Sequence, residues 1–315
     1  MIILLEYVCG YYSSKIRSSS SSADPALFAA DHAQITSQYL TGIKNKVCYY
    51  CYIVIYLYSL KHIKMIYTTK AEAKRLTGLN YLGSVNKTTK HQKAFKYNEL
   101  TYSLYLAPAK MSGYEVCPMR SKECTKLCLN ESGMNRMNMK DEMINESRIK
   151  KTKLFFEHRE FFVNWMFDEI KSTEIKAKKL GYKFSVRLNN TSDISPESFY
   201  LHINDKPVNI LQYFKHIQFY DYTKVPKRIE LLKKYKNYDI TFSYSGYNLD
   251  ECHSMLNKNI RVAVVFNKVP TKFWDRKVID GDLYDMRYKD KKNVIVGLKF
   301  KRVRSKLTKN KFVIQ

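Results

Sequence analysis

Three cysteines fall within twelve residues, Cys117, Cys124 and Cys128, in the spacing C-x6-C-x3-C. The thiolate is both ligand and nucleophile, and a short segment can turn three sulfurs onto one centre. Two metals suit such a set. A 4Fe-4S cluster held by three cysteines leaves one iron open to a small molecule, whereas zinc in a structural site takes a fourth ligand. Cys252 and His253 are donors for that fourth place, although their segment has helical character and packing competes as a role. Inert thiols are the third reading, and Cys48 and Cys51 form a separate C-x-x-C nearer the start.

A second set of chemistry-bearing residues lies downstream. Arg187 and Lys224 are cationic donors that could hold a carboxylate or phosphate, with Asp193 as acid or base. Each could equally sit in a structural ion pair. Asp280, Asp282 and Asp285 could ligate a hard cation through oxygen, against the plainer expectation of a tight Gly281 turn with solvated charges. Lys299 to Lys311 interleaves Lys and Arg with apolar residues, which suits either a nucleic-acid backbone or an edge strand guarded by lysines.

The elements that must position these residues show a rhythm. Short β-branched or aromatic runs fall at Thr101–Leu106, Tyr182–Leu188, His216–Tyr222, Tyr238–Tyr244, Ile260–Phe266 and Asn293–Leu298. Helical segments separate several of them, at Pro226–Lys236 and Leu249–Asn257. A long amphipathic helix is expected where Ile149, Phe155, Phe156, Phe162, Trp165, Met166 and Ile170 recur, and its aromatic stripe reads as core. The fold class is therefore α/β, a parallel sheet of βα units, either open or curled into a full or partial barrel. The cysteines sit on a loop, Ser112–Gly133, directly after the first strand. Asn189, Thr191 and Asp193, then Thr223 and Lys224, then Ser245 follow successive strands and share the carboxyl end of the sheet, where ligands bind in parallel folds. Turns and helix caps use the same residue types and account for part of this gathering.

Composition bounds the partners. A formal net charge of +26 over 315 residues favours polyanions such as nucleic acid or a nucleotide. A bias that also yields 26 tyrosines makes basicity, in the alternative, a trait of the whole chain. Seven irregularly spaced cysteines do not form a secreted disulfide framework, so a reducing, cytoplasmic setting is expected. Residues 1–64 differ in character, with a Ser18–Ser22 run and an apolar Val47–Leu60 stretch too short to span a bilayer comfortably. They are expected to be a non-native or disordered leader, with residues 65–315 as the folded domain and no membrane partner. Nothing in the sequence names a protein partner.

Radical S-adenosylmethionine enzymes also carry three cysteines after the first strand of a partial barrel, although in the spacing C-x3-C-x2-C. More specifically, LYLAPAKMSGYEVCPMRSKECTKLCLN, SRIKKTKLFFEHREFF, VRLNNTSDI, IQFYDYTKVPKR, ITFSYSGYN, RVAVVF, VIDGDLYDMRYKD and IVGLKFK, in that order, resemble the bacteriophage gene product 88 family. Its blocks carry the cysteine loop, an Arg-bearing helix (Arg148 here), an R-x-x-x-S/T-x-D turn (Arg187, Thr191, Asp193) and a Y-T-K turn (Tyr222, Thr223, Lys224). This sequence departs from it at Asn190, Gly246 and Tyr247. The resemblance implies a phage-type protein in a host cell, without assigning a reaction, and adds Tyr222 and Ser243 to Asn189, Thr191 and Ser245 as cofactor-binding candidates. Two functions follow as expectations. One is an iron–sulfur enzyme, with S-adenosylmethionine as a candidate cofactor, acting on a nucleotide or nucleic acid. The other is a non-catalytic phage accessory protein whose zinc or structural cysteine cluster braces a nucleic-acid-binding surface.

Overall fold

The computed structural model describes residues 65–85, 92–132, 138–301, 303 and 310–315. The leader, with Cys48 and Cys51, and most of the basic stretch after Lys301 lie outside the described residues. Thr69 caps α1 (Lys70–Thr77) by accepting the Glu72 N–H, and Gly78 ends it in the left-handed region. Strand β1 (Gly83–Val85) runs antiparallel to β2 (Glu99–Leu104). The cysteine segment follows, and within it a short helix, α2 (Lys122–Lys126), carries Cys124. The long helical stretch breaks at His158 into α3 (Asn138–Glu157) and α4 (Arg159–Lys179).

The chain then alternates. Strand β3 (Lys183–Arg187) leads into a two-stranded hairpin, β4 (Tyr200–Ile203) and β5 (Lys206–Asn209), and α5 (Ile210–Tyr213). Next come β6 (Gln218–Thr223), α6 (Leu231–Lys234), β7 (Tyr238–Ser243), α7 (Leu249–Asn257) and β8 (Val262–Phe266). Four strands close the chain: β9 (Lys272–Phe273), β10 (Arg276–Asp280), β11 (Ile295–Lys299) and β12 (Val313–Ile314). The main sheet has the order β1-β2-β3-β6-β7-β8-β11-β10-β9, with β12 paired to β8. From β2 to β10 every neighbour is parallel, whereas β9 returns antiparallel to β10. The path ends at β1 and β9, so among the described residues the sheet is a large, mostly parallel α/β sheet and not a closed barrel.

Alternation sorts the strand residues onto two faces. Tyr102, Leu104, Val186, Phe219 and Ile240 pack with Phe155, Phe162, Trp165, Met166 and Ile170 of α3 and α4 in one apolar core. Phe242, Val262, Val264 and Ile295 pack with Cys252, Met255 and Leu256 of α7 in a second. Because β2, β3, β6, β7 and β8 advance in one direction, right-handed crossovers carry these helices to the same face.

The opposite face is polar yet buried: Glu99, Thr101, Ser103, Ser185, Tyr220, Asp239, Thr241 and Ser243. The connection from β10 to β11 reverses the direction of advance, and a right-handed crossover there belongs on this second face. Gly281 allows the turn, since a Cβ there would stand 2.6 Å from the Val296 side chain and 2.8 Å from the Gly297 carbonyl. The returning segment then covers the polar face with ion pairs, Asp285 to Arg187 at 2.6 Å, Lys289 to Glu99 at 3.1 Å and Lys292 to Asp239 at 3.0 Å. Among the described residues no helix is long and apolar enough to cross a membrane.

One buried carboxylate joins the first edge of the sheet to the helix layer. Glu169 of α4 accepts the N–H groups of Leu82 and Gly83, each at 2.9 Å, and the Tyr102 hydroxyl at 2.8 Å. Replacing it with Ala leaves three buried donors without their acceptor, each worth about 1–3 kcal/mol. Glu169→Ala is therefore expected to lower the unfolding free energy by about 3 kcal/mol or more, read by urea denaturation followed by far-ultraviolet circular dichroism.

Candidate functional site

The cysteine segment is held by its own short bonds and by the strand ends beneath it. The Val116 N–H meets the Ala109 carbonyl at 3.1 Å, and the Cys117 N–H meets Glu115 Oε1 at 2.8 Å while Arg120 pairs with the same carboxylate. Ser121 caps α2 through the Cys124 N–H at 3.0 Å, and its hydroxyl donates to the Ser245 carbonyl at 2.8 Å. Cys124 is thus pinned to the end of β7. Cys117 Sγ lies 3.7 Å from the Thr191 carbonyl, and Cys128 Sγ accepts the Asn130 N–H at 3.5 Å.

The turn after β3 is stitched to both neighbouring strands. Thr191 donates to the Leu106 carbonyl at 2.6 Å, and the Asp193 N–H donates to the Val116 carbonyl at 2.7 Å. Asn189 donates through its backbone and side chain to Asp221 at 2.9 and 3.0 Å, while its own Oδ1 accepts Ser192 and Ile194. Asp193 accepts Thr223 Oγ1 at 2.7 Å and the Lys224 N–H at 2.8 Å, and pairs with Arg228. Both its oxygens are therefore occupied. Arg228 also reaches Asp221 and the Tyr238 hydroxyl.

This stitching brings the Lys224 side chain close enough to the cysteine segment to feel the charge of its thiols. Burial works against its charge, yet Cys124, Asp193, Cys117 and Cys128 raise its pKa above the ordinary lysine value. Burial also pushes the Cys117 thiol up to about 12 and the Cys128 thiol to about 11, with Lys224 and Arg148 pulling Cys128 the other way. The Lys224 ammonium makes no side-chain hydrogen bond to the described residues, and its one ring neighbour is Phe312, 5.9 Å from Nζ. Phe312 reaches it because β12 pairs with Val265 and Phe266 at the end of β8. Gly246, at φ +94°, makes room: a Cβ there would stand 3.0 Å from the Phe312 nitrogen.

The other expected residues divide. Arg187 pairs with Asp285 and lies 4.7 Å from the Tyr222 ring centroid on the polar face. Its Nε and the Tyr222 hydroxyl are buried without a hydrogen-bond partner among the described residues. Ser243 is buried on the same face, and Ser245 is bound to Asn248. The three aspartates of the Gly281 turn do not converge, since Asp280 accepts the Asp282 N–H, Asp282 pairs with Lys301 and Asp285 pairs with Arg187. Cys252 lies in the α7 core and His253 against Trp274, both on the helix side of the sheet. Among the described residues no three His, Cys, Asp or Glu side chains stand as a metal-holding group. Sequence reasoning overlooked Arg228 and Asp221, because Asp221 interrupts an apolar alternation and Arg228 sits in a lysine-rich run, where neither carries a visible signal.

With this geometry in view, comparison with known families is decisive on membership. The chain belongs to the Gene product 88 family, whose model matches residues 70–314. That span takes in the cysteine segment, the strand-end turns and β12. No curated protein and no solved structure matches the chain.

The raised thiol pKa values have a consequence for stability without metal. Unfolded thiols ionise near 9, whereas folded Cys128 and Cys117 hold their protons to about 11 and 12. Their contribution is present in full below pH 9 and is lost as pH rises through the folded values. Relative to a Cys117→Ser/Cys128→Ser variant, metal-free protein is expected to lose up to about 1.4 kcal/mol per pH unit for each thiol across that window. Urea denaturation at stepped pH reads it, and parallel curves for the two proteins contradict it.

Proposed function

We propose that this protein is an iron–sulfur enzyme in which Cys117, Cys124 and Cys128 hold a four-iron cluster beside a sheet that curls toward a partial barrel, and that it acts on a nucleotide or nucleic acid. The observation that carries this reading is that the segment after β2 brings Cys117 to within 3.7 Å of the Thr191 carbonyl and ties the Cys124 helix to the Ser245 carbonyl through Ser121, at the strand ends from which Lys224 also leaves. Among the described residues the sulfurs do not stand as a formed metal group, and a cluster would draw them together. The donor set suits a cluster with an open iron better than a closed zinc site. Cys252 is engaged in the apolar core under α7, His253 packs against Trp274, and both Asp193 oxygens already accept hydrogen bonds. The half-buried thiols of Cys117 and Cys128 hold their protons in the metal-free state, so the positive charge of a cluster core is what would favour thiolate there.

When bound, such a cluster supplies one-electron chemistry and an open iron for a small molecule, with S-adenosylmethionine as the candidate. The protein's own residues do the rest. Lys224 and Arg148 offset the negative charge of the thiolates. Asp193 and Arg228 fix the backbone from which Lys224 projects. Asn189, Thr191, Ser243 and Ser245 shape the strand ends, and Arg187 stacks near the Tyr222 ring on the neighbouring polar face.

A second reading has one observation in its favour. Cys124 packs against the small apolar cluster of Leu127, Val303, Phe312 and Val313, as a structural thiol would. Colour separates the two. Protein purified without oxygen is expected to be brown, to absorb broadly near ~400 nm and to contain iron and sulfide in equal amounts. Cys124→Ser is expected to lose both. Colourless protein with stoichiometric zinc, or with no metal after reconstitution with iron and sulfide, overturns the enzyme reading.

A further inference from the structure

The rim of the cysteine site carries an unusual surface. Met119 and Leu129 flank α2 at 51% and 57% exposure, and Tyr247, from the loop after β7, is 59% exposed. Lys110, Lys122 and Lys126 stand exposed on the same segment, and none of them makes an ion pair among the described residues. Two acids of the segment are engaged, Glu115 by Arg120 and Glu123 by the Tyr247 hydroxyl at 2.5 Å. That last bond joins the lysine-bearing helix to the aromatic ring. Lys311 lies 5.4 Å from the same ring centroid, continuing the basic rim onto the C-terminal segment.

Free lysines beside an oriented aromatic ring and exposed apolar side chains match one kind of partner. A single nucleic-acid strand offers phosphates to the ammonium groups and unpaired base faces to the ring, whereas a duplex hides those faces in its stack. We infer that the rim formed by Lys110, Lys122, Lys126, Tyr247 and Lys311 binds single-stranded nucleic acid and presents it to the cysteine site. The inference rests on the reading of that site as the reaction centre and narrows its substrate from nucleotides in general to a strand. The ring supplies stacking, α2 supplies phosphate contacts, and the sulfurs lie immediately beneath, since Cys124 belongs to the same helix as Lys122 and Lys126.

The test is fluorescence polarisation of a short fluorescein-labelled oligouridylate, with a duplex of equal length as competitor. Lys122→Glu/Lys126→Glu is expected to weaken strand binding at least about tenfold and to flatten its salt dependence. Tyr247→Ala is expected to weaken it about fivefold or more at unchanged salt slope. Lys176→Glu/Lys179→Glu makes the same charge change at the exposed end of α4 and is expected to alter affinity less than about twofold. Equal losses from both charge variants, tighter binding of the duplex, or binding only to anionic lipid vesicles overturns the inference. The assay is repeated on Cys124→Ser, whose metal content is measured separately. Strand binding that survives in metal-free protein upholds the surface even where the iron–sulfur reading fails.

Discussion

Beneath the candidate site a single buried guanidinium, Arg228, binds two carboxylates that arrive from different strands, Asp193 from the turn after β3 and Asp221 from within β6. Burying three charges costs several kcal/mol per ion unless every lone pair and proton is used. Here most are used: Thr223, the Lys224 N–H, Asn189 and the Tyr238 hydroxyl serve the carboxylates and the guanidinium, while Arg228 Nε is buried without a hydrogen-bond partner among the described residues. With the turn locked to β6, Lys224 leaves the strand end toward the cysteine segment, where its ammonium lies 5.9 Å from the Phe312 ring centroid and feels the charge of the thiols. The cysteine segment depends on the same lock, because its Val116 carbonyl is bound to the Asp193 N–H.

The polar face makes a second, independent demand. A parallel sheet normally covers both faces with apolar helices, yet one side here carries Glu99, Arg187, Tyr220, Asp239 and Arg261. The reversal at β10 and β11 answers it by sending the 281–293 segment across that side, where Asp285, Lys289, Asp290 and Lys292 supply the partners. The buried ion pairs occupy the space where apolar packing would otherwise stand. Arg187 and Tyr222 stand at the carboxyl-end limit of that network, each with a buried polar atom that has no hydrogen-bond partner among the described residues.

Much of this arrangement was legible in the sequence. The runs around Tyr102, Val186, Phe219, Ile240, Val264 and Val296 announced parallel strands, and the observed strands begin and end within two residues of the expected limits. The run of polar residues after successive strands correctly gathered Asn189, Thr191, Asp193 and Lys224 at one end of the sheet. What was hidden is equally physical. Hairpin β4–β5 and the short strands β9, β10 and β12 have too few residues to show a period. The break at His158 falls where the sequence has neither Gly nor Pro to announce it. Arg228 and Asp221 act through a tertiary pairing that no local spacing reports. The cysteine segment read as a loop, although Ser121, by capping α2, makes part of it helical.

Everything chemical in this molecule turns on whether three sulfurs serve one centre. Partial burial, the nearby ammonium and the tethering of Cys117 and Cys124 to two different strand ends suit a shared ligand site, and none of them alone identifies the metal. The direct measurement is a crystal structure of protein reconstituted and crystallised without oxygen, with data collected on either side of the iron absorption edge. A single anomalous peak bonded to Cys117, Cys124 and Cys128, within reach of Lys224, is the predicted result. Three thiols turned away from one another with no metal between them, in protein exposed to excess iron and sulfide, would contradict it.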